Sequence, residues 1–391
     1  MCEAKTDILI LNTAVLDLRS ADFDFVDHLV GPGGLAKCAT PDMPAYTPAD
    51  FRRWIRQGGA SAGGPGNTAP LLARAGMRVA VGVCLGAGDE EGLDVQGRFF
   101  HDTLAASGVD MSATVIHPTL PTGTTFIHET PGHERGGLAY FPHANNDFDF
   151  ATFLPHVERL RPRVVYYMYS GLSDRGDANG GHDLAAFIRR CRELGCITIV
   201  DSHTLCGNPE QLIREGTPVP AYRLLDPLLP ELDIFFTSAD EAKMIVNTLD
   251  VPRCWADYTN AENLEFYLRF VQERYLRPQA RSRLFGVTVK TGAMAVYLPP
   301  HSPAVQPVMH ASRCTDAKVV DLVGAGDSFR AGMIGYIARN ADAFLAGDLD
   351  AGEAIQFGNL MAASYIQSPL DDRYGRIRPF DEMLRMVRET K

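Results

Sequence analysis

The stretch "DLVGAGDSFRAGM", Asp321–Met333, decides how the rest of the chain is read. Three small residues, Gly324, Ala325 and Gly326, stand directly before one carboxylate, Asp327, and an apolar helical pattern follows at once. A plain turn needs one glycine. A run this bare offers mainly backbone N–H groups, and the first turn of a helix leaves such groups unpaired beside a partial positive charge. Small residues let an anion approach them, so the run reads as a phosphate cradle. The preceding "AKVVD", 317–321, reads as a strand, which makes the run a strand-to-helix turn. Asp327 then has two readings. It caps the helix, or it takes a proton from an attacking hydroxyl while the N–H groups stabilise a phosphoryl group in transfer.

Outward from this turn the chain alternates strands and helices. "DILILNTAV", "RVAVGVCLG", "VVYYMYSG", "CITIVDS", "DIFFTS", "LFGVTVKTG" and "MAVYL" read as strands. "NTAPLLARAG", "GLDVQGRFFHDTLAASG", "HDLAAFIRRCRELG", "ADEAKMIVNTL", "NLEFYLRFVQERYL", "GAGDSFRAGMIGYIARN" and "AGEAIQFGNLMAASYIQS" read as helices. Continuous β-branched runs such as "ITIV" suit parallel strands covered on both faces. The predicted class is α/β, with an open, mostly parallel sheet and helices on both faces. Ligands are expected at the carboxyl ends of its strands. Two stretches break the rhythm: Thr122–Asn145, two strands about a Pro/Gly turn, and Leu18–Arg56, rich in Gly, Pro and aromatics. They predict a small β-rich lid. No repeat or linker isolates a second domain, so residues 1–391 are read as one domain, with lid parts in 13–60 and 115–147 and a nucleotide-binding half about 230–391.

Composition excludes several classes. The 391 residues carry a formal charge of -11 and no basic run, which argues against nucleic acid and anionic membranes. No apolar run nears the ~20 residues a bilayer needs. The N-terminal "MCEAKTDILILNTAVLDL" reads as a first strand and not as a signal peptide, so the cytoplasm is the expected location. Eight scattered cysteines without a C-x-x-C pair predict neither disulfides nor zinc. His128, His133 and His143 read as surface or substrate-rim residues.

A second run, "GGPGNTAPLLARAGMRVAVGVCLGAGDEEG", Gly63–Gly92, joins paired glycines, an Asn at a helix start, a helix, a strand and a glycine-rich acidic turn. With the first run it resembles the two signatures of the ribokinase-like, phosphofructokinase-B type carbohydrate and nucleoside kinases. Smaller matches fall in order between them: "PTGTTFIHETPGHERGGLAYFPHAN" for the lid hairpin, "GCITIVDSH", "DIFFTSADEA", "VTVKTG" and "FGNLMAASYIQS". The resemblance covers nearly the whole chain and implies a ribokinase-like three-layer fold.

By this resemblance Asp327 is the base, and Gly324, Ala325 and Gly326 form the anion hole. Asp17 accepts from sugar hydroxyls, with a strand-end cap as its other reading. Gly63, Gly64 and Asn67 contact the substrate, as does Asn145, which also suits a helix cap. Lys290, Thr291, Gly292 and Asn359 line ATP. Glu241 helps place Mg²⁺ through water, or is a helix-start glutamate. Asp321 is a candidate neighbour of a monovalent cation, K⁺. Arg135, at the lid turn, meets a phosphate or is solvated. Ser238, Leu322, Ala295 and His143 depart from the family pattern, which leaves the acceptor open between a sugar-like polyol and a nucleoside stacked on Phe23, Phe25, Tyr140 or Phe141. A sugar-binding protein that kept the fold without catalysis is the rival. Exposed lid edges predict a homodimer through the lid.

Overall fold

The structure is a computed structural model. It describes residues 6–129, 136–250, 252–253, 255, 261–289, 292–303, 306–314 and 318–390. His133, Arg135, Lys290 and Thr291 therefore lie outside the described residues.

An eight-stranded sheet runs in the spatial order Val308–Ala311, Gly292–Leu298, Arg283–Val289, Ile234–Ser238, Ile197–Ser202, Pro162–Ser170, Thr6–Leu11 and Val79–Gly82. The pairings from Arg283–Val289 through to Val79–Gly82 are parallel. Those of Gly292–Leu298 with its two neighbours are antiparallel. The parallel strands are apolar along their length and buried, as strands with helices on both faces must be. Apolar clusters fill the space on each side.

The helix Ala325–Arg339 is buried from Asp327 to Ala338. Its inner neighbour is the helix Ala351–Ile366, and the two approach through glycine: a Cβ on Gly332 would stand 2.7 Å from Gly358 Cα. Two readings of strands need correction. "AKVVD" is not a strand where it is described. Val319 and Val320 are about half exposed, so no sheet face covers them. The Val320 and Asp321 N–H groups instead donate to the Ile366 carbonyl at 2.8 and 3.3 Å. "RVAVGVCLG" divides at Val83: Val79–Gly82 joins the large sheet, and Cys84–Gly88 pairs with Gly92–Leu93 and Val115–His117.

The expected lid is a five-stranded sheet in the order Leu35–Lys37, Leu138–Phe141, Gly123–His128, Val15–Ser20 and Ala60–Gly63. Its outer face is covered by the chain itself. The helix Pro48–Arg56 starts in a capping box of Thr47 and Asp50 and lays Phe51 and Trp54 on the sheet. Trp54 packs edge-on to Phe23 and Tyr46, with ring centroids 5.0 and 4.8 Å away. Phe126 and Phe141 complete the cluster. His143, read as a rim residue, is instead buried beneath it. It stacks on Phe141 and bonds Thr40 through Nδ1 at 3.0 Å, and burial pushes its imidazole down to about 4, so it is neutral.

Trp54→Ala should lower unfolding free energy by about 3–5 kcal/mol, the usual loss for a large buried aromatic. Urea unfolding measures it, and a loss below about 1 kcal/mol would mean that the cover is not packed.

Candidate active site

The parallel strands end beside the start of the helix Ala325–Arg339. Gly324 is its N-cap, with φ 86°, a conformation glycine accepts without strain. A Cβ there would also meet the Tyr365 hydroxyl at 2.8 Å and Asn67 at 2.9 Å. The Ala325 N–H is occupied by the Leu322 carbonyl at 3.1 Å. The N–H groups of Gly326 and Asp327 have no acceptor among the described residues. A Cβ on Gly326 would meet nothing within 4 Å. Of the three expected anion-hole residues, only Gly326 thus offers both a free N–H and open space.

Asp327 does not cap the helix. Its side chain is 10% exposed and receives donors from two distant parts of the chain and from its own helix. The Tyr169 hydroxyl donates to Oδ2 at 2.7 Å, and Asn67 Nδ2 to the same oxygen at 3.1 Å. Arg330, one turn along the helix, reaches Oδ1 at 3.4 Å. Tyr169 sits at φ 60°, where the register of its strand shifts. Such a backbone costs about 1–3 kcal/mol and is typical of functional sites. Its N–H donates to Asp201 Oδ1 at 2.6 Å.

Arg330 is buried among Asp201 at 2.6 Å, Asp327, and Glu241 at 3.8 Å. Burial works against its charge, but these carboxylates outweigh burial and keep the guanidinium protonated. Glu241 is the capping-box partner of Ser238. Its Oε2 accepts from the Ser238 N–H at 2.7 Å and the Ser202 hydroxyl at 3.0 Å. The helix-start reading of Glu241 therefore describes its contacts. Among the described residues no group of three His, Cys, Asp or Glu could hold a metal. With Arg330 between the carboxylates, the donor set does not fit a directly bound Mg²⁺.

Asp17 lies within the lid strand Val15–Ser20, opposite Ser61 and Thr125, so it is no strand-end cap. A Cβ on Gly63 would come 2.3 Å from its Oδ2, and one on Gly64 would meet the Thr13 carbonyl at 2.1 Å. The paired glycines thus admit the chain's own carboxylate and carbonyl. Burial pushes the Asp17 carboxyl up to about 6. Arg19, a Thr125 hydrogen bond and Arg373 pull it down, and Asp327 adds to the rise. Asn145 does not cap a helix either, since Asp149 caps Phe150–Leu160. Asn145 Nδ2 donates to the Ala14 carbonyl at 2.8 Å and the Tyr140 hydroxyl at 3.1 Å. Its buried Oδ1 is unpartnered.

Gly292 begins a strand, where a Cβ would meet the His310 carbonyl at 2.3 Å. Packing alone therefore accounts for this glycine. Asn359 is buried and donates to Gln356 Oε1 at 3.3 Å. Asp321 is paired with two guanidiniums, Arg373 at 2.7 Å and Arg19 at 3.4 Å. Sequence reasoning missed Tyr169, Arg330, Tyr365 and Arg373. Arg330 had a signal, being a cation inside a run of small and apolar residues three positions after Asp327. The others act across long separations and leave no local pattern.

The pattern of the pfkB family carbohydrate kinases matches residues 55–372, and the chain belongs to that family. No curated protein matches it. The fold is ribokinase-like. It is similar to a fructokinase with bound ATP from Xylella fastidiosa, at 19% identity and a TM-score of 0.65, covering 98% of this chain and 99% of that one. It is similar also to an adenosine kinase from Schistosoma mansoni in complex with 2-fluoroadenosine, at 17% identity and a TM-score of 0.66, covering 94% and 96%. An adenosine kinase from Sinorhizobium meliloti matches at 20% identity and a TM-score of 0.60, covering 99% and 100%. Among the described residues no helix is long and apolar enough to cross a membrane.

The raised carboxyl of Asp17 makes a signed prediction. Its folded-state value, about 6, exceeds the ordinary 3.8, so the folded chain holds this proton more tightly than the unfolded chain. Stability is then lost as pH rises from about 4 through 6, and by pH 7 the loss is roughly 1–3 kcal/mol. Asp17→Asn should be more stable than wild type at pH 7 in urea unfolding, with the difference fading below pH 4. Equal stability at both pH values would contradict the assignment.

Proposed function

We propose that the protein transfers the γ-phosphoryl group of ATP to a hydroxyl of a sugar or sugar-like polyol. The observation that carries this reading is Asp327, a carboxylate fixed by Tyr169 and Asn67 beside the open N–H groups of Gly326 and Asp327. The Asp327 carboxylate is near enough to help raise the Asp17 carboxyl.

The acceptor hydroxyl displaces the Tyr169 hydroxyl from Asp327 Oδ2 and gives its proton to that carboxylate as its oxygen attacks the γ-phosphorus. The bond from the γ-phosphorus to the bridging oxygen breaks, and ADP leaves with that electron pair. Charge on the phosphoryl oxygens is met by the N–H groups of Gly326 and Asp327. Asp17, ionised above about pH 6, accepts from further hydroxyls of the acceptor. Gly292 and Asn359 belong to the half assigned to the nucleotide. Among the described residues the chain has no direct donor set for Mg²⁺.

A sugar-like acceptor is favoured over a nucleoside. Phe23, Phe25 and Phe141 would be the platforms for a base, but they belong to the aromatic cluster over the outer face of the lid. Tyr140 is buried and its hydroxyl is taken by Asn145. That cluster covers a face of the lid sheet but not its edges, the strands Leu35–Lys37 and Ala60–Gly63, so the expected homodimer through the lid is kept as part of this reading.

Asp327→Asn should keep ATP affinity and lose about 10²–10⁴-fold in kcat, the range for removal of a general base. ATP consumption against a panel of sugars, polyols and nucleosides measures it. Turnover equal to wild type would remove Asp327 from the mechanism. Light scattering should give the mass of two chains, and a one-chain mass would end the pairing.

A further inference from the structure

The turn Asp321–Gly326 presents two oxygens away from the helix, the Asp321 carboxylate and the Val323 carbonyl. One guanidinium binds both. Arg373 Nη1 donates to Asp321 Oδ2 at 2.7 Å and Nη2 to the Val323 carbonyl at 2.8 Å. Its third nitrogen, Nε, donates to the Tyr365 hydroxyl at 2.9 Å. Arg373 is 6% exposed, so none of these contacts is a surface pairing. Tyr365 in turn donates to Asn67 Oδ1 at 2.7 Å, and Asn67 Nδ2 donates to Asp327 Oδ2 at 3.1 Å. The chain Arg373–Tyr365–Asn67–Asp327 thus leads from the turn to the carboxylate, each link a directed hydrogen bond.

These oxygens are the ones that a monovalent cation beside Asp321 would need. They already hold one positive group, and Arg19 brings a second from the lid, with Nη2 3.4 Å from Asp321 Oδ2. A cation there would lose its ligands to Arg373 and meet repulsion from both arginines. The Val323 carbonyl lies four residues before Asp327. It accepts from Arg373, and the Asp327 N–H has no acceptor among the described residues.

We propose that Arg373 does the work of a bound monovalent cation. It is a positioning residue that fixes the anion-hole turn and, through Tyr365 and Asn67, the carboxylate of Asp327, and the protein needs no K⁺. The part concerning Asp327 rests on the kinase reading above; the part concerning the cation does not.

The first measurement needs no turnover. Wild type is melted in potassium chloride and in tetramethylammonium chloride at equal ionic strength. The same melting temperature is expected in both, and a K⁺-dependent rise would overturn the cation part. Arg373→Ala opens the oxygens, and its melting temperature should become K⁺-dependent. The second measurement is kinetic. Arg373→Ala should lose about 10²-fold in kcat with a smaller change in acceptor KM, because a misplaced base loses rate before binding. A few millimolar guanidinium should restore part of that rate, and Arg373→Lys should fall between wild type and Ala. A variant that is merely less stable, with kcat intact, would reduce Arg373 to a structural role. If Arg373→Ala does not fold, Tyr365→Phe cuts the link to Asn67 without touching the ion pair. It should lower kcat and leave the melt K⁺-independent, and an unchanged kcat would overturn the relay. If wild type transferred phosphate to no acceptor while the melts behaved as expected, the kinase reading would fail and the cation part would stand.

Discussion

A carboxylate nine-tenths buried needs donors aimed at it, and Asp327 has three, from Tyr169, Asn67 and Arg330. Each donor arrives from a different part of the fold. Tyr169 ends a central strand, Asn67 follows a lid strand, and Arg330 shares the helix. The condition that this one acid be satisfied therefore fixes the large sheet, the lid and the helix relative to each other. It also explains the strained backbone at Tyr169, since a phenol directed at Asp327 and an N–H directed at Asp201 are both supplied there.

The second acid is treated in the opposite way. Asp17 is buried with too little support, which is why its proton is held up to about 6. An acid kept short of donors at some cost to stability is what an acceptor with hydroxyl groups can relieve. The two carboxylates differ by environment: one is held by three donors of the protein, and the other is buried with fewer.

The alternating strands and helices, the lid hairpin and the glycine runs were legible because each is a local pattern. The quoted turn gave the helix start and the acid directly. "AKVVD" was misread because β-branched residues carry strand preference even when tertiary structure leaves them half exposed, as at Val319 and Val320. Asp17 was legible as an acid near the first strand, but its lid position depends on pairing with Gly123–His128, more than a hundred residues away. The aromatics of the lid were visible, though not their face. The Tyr365–Asn67 contact spans 298 residues and has no local trace at all.

The central claim is that bare peptide N–H groups at this helix start receive a phosphoryl group. Gly326 isolates it. Its Cβ position is empty and alanine suits a helix, so Gly326→Ala should fold with stability equal to or up to about 1 kcal/mol above wild type. The added methyl would stand where the anion must approach. The decisive measurement is the phosphoryl-transfer rate of Gly326→Ala, beside its urea unfolding curve. A rate at least about tenfold below wild type in a fully stable variant is predicted, in line with the loss of transition-state stabilisation at an anion hole. A stable variant with the wild-type rate would contradict the account.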